Sequence, residues 1–166
     1  MSRLAATIAA LYTRYGALVL RRARALLGDE QASWDALQEV FVKALKAHGD
    51  FRGQAAATTW LYRITTNYCL NLLRDGSRRR DLLMRQASAP AGNGADAADL
   101  RLTIARVLDE LPVEICEIAV YAHVDGMSQD EIAELVGLSR KTVGHRLREF
   151  QARARQMLGL FAEVST

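Results

Sequence analysis

The chain has 166 residues, of which 50% are apolar and 25% charged, and its net charge is +3 with a pI near 9.1. This composition fits one globular domain or two small ones, and it excludes a membrane span, since no run approaches the roughly 18 apolar residues that a span requires. The N-terminus lacks a signal-peptide pattern and the charge balance favours nucleic acid over acidic small substrates as a partner, so we expect a cytoplasmic protein.

The first predicted helix runs from Leu4 to Leu27, where apolar residues recur at helical spacing until Gly28 and Asp29 interrupt them. Nearly every other apolar pattern in the chain has the same period, and prolines and β-branched runs are scarce. We therefore predict an all-α protein. The other face of this helix carries arginines, which we interpret as solvated surface: Arg14, Arg21, Arg22 and Arg24.

A second helix is predicted from Ser33 to Ala47, with a stripe of apolar residues facing inward: Leu37, Val40, Phe41, Ala44 and Leu45. Its outer face begins with acidic and amide groups and ends in lysines, an order that suits the helix dipole. The polar residues that open this face are Asp35, Gln38 and Glu39. Residues 48–53 contain two glycines and an aspartate, which predicts a loop.

A third helix is predicted from Thr58 to Arg74, with one side that is apolar: Leu61, Ile64, Tyr68 and Leu72, with Trp60 beside them. The other side combines an aromatic ring with amide and guanidinium groups: Thr59, Tyr62, Arg63, Thr66, Asn67, Asn71 and Arg74. Such a mixture suits stacking on unpaired bases and hydrogen bonding to them. Plain solvation of a polar face explains it equally well, and for Trp60 a place in the core is as good a reading as contact with a base.

The stretch from Ala87 to Asp99 has no Leu, Ile, Val or aromatic residue, so it cannot pack and is predicted to be a flexible linker. Helical periodicity resumes at Leu100, and Pro112 marks the first turn of a further helix. We expect two small helical domains joined by this linker. The predicted bounds are 1–76 for the first domain, 77–99 for the linker, 100–160 for the second domain and 161–166 for a short tail.

The second domain contains the signature of a helix-turn-helix. Ser128 and Glu131 form a capping box that opens one short helix, and Gly137 ends it. Ser139 is a good N-cap for the next helix, so the turn between the two helices is short and contains a glycine.

The second helix of this motif has two different faces. Val143, Leu147 and Phe150 fall on one apolar stripe, while the opposite face is basic. Between Ser139 and Gln156 there are six Lys or Arg residues against one acid, a net charge of +5. A solvated basic surface is the alternative, but the coincidence of the capping box, the glycine turn and the two-faced helix favours DNA binding.

No residue pattern indicates catalysis, a cofactor or a metal. The histidines His48, His123 and His145 fall in three different elements, without a paired nucleophile or carboxylate. Cys69 and Cys116 lie far apart in sequence without the spacing of a zinc site, so we interpret both as small buried side chains. We expect a protein that is not an enzyme and needs no cofactor.

The order of these segments resembles the extracytoplasmic-function (ECF) sigma factors of bacterial RNA polymerase, over nearly the entire chain. The segment 35–41 (DALQEVF) resembles the family's polymerase-binding helix, and 51–53 (FRG), 59–64 (TWLYRI) and Asn67 resemble its minus-10 segment. The minus-35 domain is matched by short fragments: Leu111-Pro112, 131–133 (EIA), 137–139 (GLS), Thr142-Val143 and Arg146-Leu147. Each fragment is weak alone, but their order and spacing together are specific.

The resemblance implies a role for each of these segments. The residues that it assigns to core polymerase binding are Asp35, Gln38, Glu39 and Phe41. Those assigned to recognition and melting of the minus-10 element are Phe51, Arg52, Thr59, Trp60, Tyr62, Arg63, Asn67 and Asn71. Those assigned to the minus-35 element are Ser139, Arg140, Lys141, Thr142, His145, Arg146 and Arg148.

The sequence departs from the family pattern at Ala36 and Leu37, where a Leu and a Val are usual, and at Gly144 and His145 in the recognition helix. The promoter preference of relatives therefore does not transfer. Because the chain ends soon after this helix, we expect control by a separate anti-sigma factor. The partners implied are thus core RNA polymerase, promoter DNA and an anti-sigma factor. The alternative is a stand-alone helix-turn-helix repressor or activator, which would bind duplex DNA without polymerase.

Overall fold

A computed structural model describes residues 3–47, 54–86 and 104–164, and within these ranges the chain is helical apart from short connections and contains no strand. The prediction of an all-α protein is confirmed. None of the described helices is long and apolar enough to cross a membrane. In chain order the helices are α1 (Arg3–Leu27), α2 (Glu30–Lys46), α3 (Gln54–Gln86), α4 (104–110), α5 (Val113–His123), α6 (Gln129–Val136) and α7 (Arg140–Val164).

The chain divides into two compact units, Met1–Leu70 and Asn71–Thr166. This division falls inside α3, which continues twelve residues beyond the predicted end at Arg74. Residues 77–86 of the predicted linker are therefore helical. Their arginines, leucines and methionine are strong helix formers, and within the second unit the Nε of Arg78 lies 2.6 Å from Oδ1 of Asp109. The rest of the predicted linker, 87–99, lies outside the described residues.

Helix α7 is also longer than predicted, because it reaches Val164 and so includes residues 161–164 of the predicted tail. This segment, FAEV, contains no glycine or proline that would end a helix. The predicted loop at 48–53 lies outside the described residues.

Helix α2 begins at Glu30, three residues before the predicted start at Ser33. The cause is Asp29, whose Oδ1 accepts a hydrogen bond of 2.7 Å from the backbone N–H of Ala32 and so caps the helix. Gly28, with φ of +66°, provides the left-handed residue that reverses the chain between α1 and α2. The pair of Gly28 and Asp29, predicted only to end α1, therefore also starts α2.

The core of the first unit joins α1, α2 and α3, and its buried residues are Val19, Leu20, Leu37, Val40, Phe41, Ala44 and Leu61. Four of the five inward positions predicted for α2 are confirmed. The fifth, Leu45, was predicted wrongly, since its side chain is 38% exposed. It lies roughly a quarter turn from the centre of the stripe between Leu37 and Ala44, so it reaches the edge of the core only.

The second unit buries residues from each of the helices α4 to α7, among them Leu108, Ile118, Tyr121, Ile132 and Val143. Both cysteines are free and buried, which confirms the sequence interpretation. Burial raises the pKa of the Cys69 thiol to about 12 and that of the Cys116 thiol to about 11. Both thiols are therefore protonated at neutral pH and behave as small apolar side chains.

Candidate nucleic-acid interface

The helix-turn-helix is formed by α6 and α7. The capping box is present as predicted: Oγ of Ser128 accepts from the backbone N–H of Glu131, and the Glu131 carboxylate accepts from the Ser128 backbone at 2.8 Å. The backbone N–H and the hydroxyl of Ser128 both donate to the Glu131 carboxylate and lower its pKa, so the box is intact at neutral pH and is lost as acid protonates this carboxylate. Gly137, with φ of +71°, ends α6 in the left-handed conformation.

Ser139 caps α7, since its Oγ accepts from the backbone N–H of Thr142 at 3.1 Å. The two hydroxyls also lie 2.8 Å apart, so these side chains hold the first turn of the helix. In α7, Val143 and Leu147 are buried, while four of the predicted minus-35 residues are exposed. We call this surface the α7 face: Arg140, Lys141, His145 and Arg148.

Two positions of α7 differ from the expected basic surface. Arg146 is half-buried at the edge of the α7 face. Gly144 is buried under the side chain of Gln129, and a Cβ at Gly144 would lie 3.0 Å from the Gln129 Oε1. Gly144 therefore permits α6 to approach α7 closely. The sequence offered no sign that Gln129 would occupy this position, because it depends on how the two helices cross.

The outer side of α3 holds four of the predicted minus-10 residues of the first unit, each half-buried. We call this surface the α3 face: Thr59, Tyr62, Arg63 and Asn67. Trp60 is also half-buried but packs against the core of the first unit, and Asn71 is exposed farther along the helix. Thr66, which the sequence placed on this side, is fully buried. Phe51 and Arg52 lie outside the described residues.

Asn67 has an unusual environment. Its Oδ1 is buried and has no hydrogen-bond partner among the described residues, although the side chain as a whole is half-exposed. A buried acceptor without a donor costs about 1–3 kcal/mol relative to a paired one. Pairing of this oxygen with a donor would remove that cost.

The outer side of α2 exposes three of the predicted polymerase contacts. We call this surface the α2 face: Asp35, Gln38 and Glu39. The Nε2 of Gln31 donates to Oδ1 of Asp35 at 3.1 Å. The fourth predicted contact, Phe41, is only 5% exposed and packs against Tyr12 with ring centroids 4.9 Å apart. Its position in the apolar stripe of α2 makes Phe41 a core residue of this unit, so we correct its assignment.

An exposed tryptophan beside the α2 face was not identified from the sequence. Trp34 is 42% exposed, and its Nε1 donates to Oε1 of Glu30 at 2.9 Å, while Glu30 accepts from Nε of Arg24 at 2.8 Å. The Arg24 guanidinium also lies 6.0 Å from the tryptophan ring. These contacts hold a large apolar ring at the surface in one orientation. Val42 and Leu45 extend the exposed apolar area along α2.

Two family models match the chain: "Sigma-70 region 2" over residues 11–80 and "Sigma-70, region 4" over residues 101–158. Over 133 residues the chain is 33% identical to the ECF RNA polymerase sigma-E factor of Escherichia coli K12. The match covers 72% of this chain and 69% of that protein. The chain belongs to the ECF sigma-factor family. This confirms the resemblance seen in the sequence.

Further comparisons of this ECF sigma factor cover more of the chain. It is 29% identical over 149 residues to the ECF RNA polymerase sigma factor SigM of Mycobacterium tuberculosis H37Rv. That match covers 90% of this chain and 76% of the relative. A solved structure of CnrH in complex with the cytosolic domain of CnrY has a TM-score of 0.47 and 29% sequence identity, and it covers 92% of this chain and 88% of that one. Sigma factors are DNA-binding factors of transcription initiation and are not enzymes.

The two family matches divide the surfaces of this sigma factor between them. The region 2 match contains the α2 and α3 faces, and the region 4 match contains the α7 face. One residue of the region 2 match corrects the sequence analysis: Arg22 on α1, interpreted as solvated, is only 6% exposed. Its neighbours Arg21 and Arg24 are exposed as expected. Among the described residues, no group of three or more His, Cys, Asp or Glu side chains could hold a metal ion.

Proposed function

We propose that this ECF sigma factor binds core RNA polymerase, directs it to specific promoters and initiates transcription. The observation that carries the proposal is the occurrence of both sigma regions in one chain, in the order region 2 and then region 4. A stand-alone helix-turn-helix regulator would account for the α7 face alone. The region 2 match makes that alternative the less favoured one.

Core polymerase binds at the α2 face. Asp35, Gln38 and Glu39 are exposed, so they can contact a partner without any change in the core of the first unit. Trp34 adds an apolar ring that is already fixed by Glu30 and Arg24. Interfaces concentrate binding energy in such pre-ordered aromatic side chains, whose ordering costs little on association. Phe41 supports this surface from the core rather than contacting polymerase.

The α3 face, with Trp60, Asn71 and the preceding Phe51 and Arg52, holds bases of the opened minus-10 strand. Tyr62 offers stacking area, and Arg63 and Asn67 offer groups that can pair with a base edge. Stacking contributes about 1–3 kcal/mol per base, which favours an opened strand without any input of chemical energy. The Asn67 side chain is half-exposed, so its amide can contact a base edge.

The α7 face reads the minus-35 duplex, with Ser139, Thr142 and Arg146 at its border. The N-terminal part of a recognition helix enters the major groove most deeply, so Arg140 and His145 contact base edges while Lys141 and Arg148 contact phosphates. The pair between Arg140 and Asp130, at 3.6 Å, is highly exposed and therefore weak, so DNA can replace it.

The protein performs no chemical step of its own, and polymerase supplies the catalysis. A factor that works on polymerase and promoter DNA acts in the bacterial cytoplasm. We further propose that an anti-sigma factor controls it, by covering surfaces that polymerase or DNA would otherwise contact.

The proposal is tested by incubating the full-length protein with core polymerase that lacks any sigma factor. We expect a stable complex and specific initiation from promoters of the source genome, mapped by sequencing the 5′ ends of transcripts made in vitro. Binding of duplex DNA without any association with core polymerase would contradict the proposal and support the stand-alone regulator.

Contacts of the α7 face with phosphates predict the salt dependence of duplex binding. Lys141→Ala and Arg148→Ala should each lower the slope of log affinity against log salt by about 0.9, since each removes one phosphate contact. Arg140→Ala and His145→Ala should instead change the base preference at one position. Lys46→Ala, which removes an exposed lysine of α2, is the control for net charge. Unchanged slopes and unchanged preference in all four α7 variants would show that another surface binds the duplex.

A further inference from the structure

Arg22 of α1 is a buried cation that contacts two residues of α3. Its Nε donates to Oγ1 of Thr66 at 3.2 Å, and its guanidinium carbon lies 4.4 Å from the centroid of the Tyr62 ring. Burying a guanidinium is costly unless hydrogen bonds and a ring face replace the lost water. An apolar side chain could fill the same space between two helices without that cost. The presence of an arginine here therefore calls for an explanation other than packing.

Two contacts of Arg22 lead to Tyr62. Thr66 accepts from Arg22 and donates its own hydroxyl proton to the backbone carbonyl of Tyr62 at 2.8 Å. Arg22 is thus connected to Tyr62 in two ways, through Thr66 to its backbone and directly to its ring. Tyr62 and Thr66 are four residues apart and so lie on one side of α3, which lets a single side chain from α1 reach both.

We infer that Arg22 is a positioning residue that fixes the Tyr62 ring on the α3 face in the orientation that stacks on an unpaired base. The inference rests on the proposed function, because it assumes that the α3 face binds the opened strand. A tyrosine on a helix surface has several rotamers, and a base gains less from a ring that must first be ordered. The guanidinium on the ring removes this ordering step before DNA arrives.

The test compares single-strand binding by holoenzymes that carry Arg22→Met, Tyr62→Leu, both substitutions, or the control Arg21→Met on the exposed side of α1. The probe is a non-template-strand oligonucleotide from a promoter that the holoenzyme transcribes. We expect Arg22→Met to lower strand affinity by up to about tenfold, the cost of ordering one side chain on binding, and Arg22→Lys to restore part of it. Affinity for core polymerase and the binding of Arg21→Met should not change.

A residue that acts through Tyr62 has no further effect once the ring is gone. The double variant should therefore bind the strand no more weakly than Tyr62→Leu alone. Multiplied effects of the two substitutions, or unchanged strand affinity in Arg22→Met, would overturn the inference while the role of Tyr62 stands. If Tyr62→Leu itself binds normally, the proposed role of the α3 face fails and the inference fails with it.

Arg22→Met removes a buried group and could prevent folding, which thermal melting of the free protein would detect. In that case Thr66→Val replaces it, since valine has the shape of threonine but lacks both hydrogen bonds. We expect a loss of strand affinity of about threefold, the value of one weak hydrogen bond. Strand affinity equal to that of the unmodified protein would then overturn the inference.

Discussion

Replacing both Asp35 and Glu39 with lysine is expected to weaken binding to core polymerase by a hundredfold or more, roughly 3 kcal/mol or above, because close charge pairs at interfaces reach this magnitude. Each charge reversal removes an attraction between the α2 face and core polymerase and introduces a repulsion in its place. Neither side chain contributes to the core, since both are exposed on the α2 face. The double substitution removes the exposed hydrogen bond from Gln31 to Asp35 and no buried contact seen among the described residues, so helical content and melting temperature should stay the same.

Circular dichroism and a titration of core polymerase with labelled sigma factor measure the two halves of this prediction. The matched control is Asp75→Lys with Glu134→Lys, which changes the net charge equally at exposed positions outside the α2 face. Normal assembly by the doubly reversed protein would remove the α2 face from the interface. Weak assembly by the control would show that net charge alone is responsible.

Trp34→Ala offers a further comparison within the same titration, since it leaves the charges of the α2 face intact while removing the ordered ring. The ring is held by Glu30 and Arg24 within the same part of the surface, so its loss leaves the core of the first unit unchanged.

Local signals in the sequence predicted the helix-turn-helix closely. The capping box of Ser128 and Glu131, the left-handed Gly137 and the N-cap at Ser139 all depend on residues within four positions of one another. Such interactions are encoded by spacing alone, so periodicity and capping rules locate them. The same reasoning placed Val143 and Leu147 in the core correctly.

Interactions between distant residues could not be predicted in this way. Arg22 and Thr66 are 44 positions apart, and nothing near Arg22 in the sequence distinguishes it from the exposed Arg21. Glu117 is another buried charged residue, and it accepts a hydrogen bond of 2.7 Å from the Tyr121 hydroxyl. Its burial depends on what covers α5. A helical projection shows which residues share a face but not which faces become covered.

In the candidate site, too, the features set by local periodicity were predicted and those that depend on distant residues were not. Asp35, Gln38 and Glu39 were placed correctly on the surface, because the apolar stripe of α2 determines the opposite side. Phe41 was assigned both to that stripe and to polymerase binding, and the structure retains only the first. Trp34 was missed because a single exposed tryptophan has no periodic signal. Its ordering by Glu30 and Arg24 becomes visible only in three dimensions.

Asn67→Ala is expected to reduce promoter opening about tenfold without destabilising the protein. In the free protein Oδ1 of Asn67 is buried and unpaired within the described part of the chain, so the substitution removes a penalty rather than a hydrogen bond. The melting temperature should therefore stay the same or rise. In the open complex the same substitution removes the group that pairs with a base edge, at a cost of about 1.4 kcal/mol, which is tenfold in the equilibrium.

If Asn67→Ala lowers promoter opening while the melting temperature stays the same or rises, Asn67 is a binding residue. A structural residue would instead lower the melting temperature when it is replaced. Permanganate footprinting of thymines near the start site measures opening, and calorimetry of the free protein measures stability. Thr13→Ala on the exposed side of α1 serves as the control, with neither quantity expected to change appreciably. A lower melting temperature together with normal opening would make Asn67 a structural residue of α3. Normal opening with unchanged stability would remove Asn67 from the strand-binding surface and leave its buried oxygen as a tolerated cost of the fold.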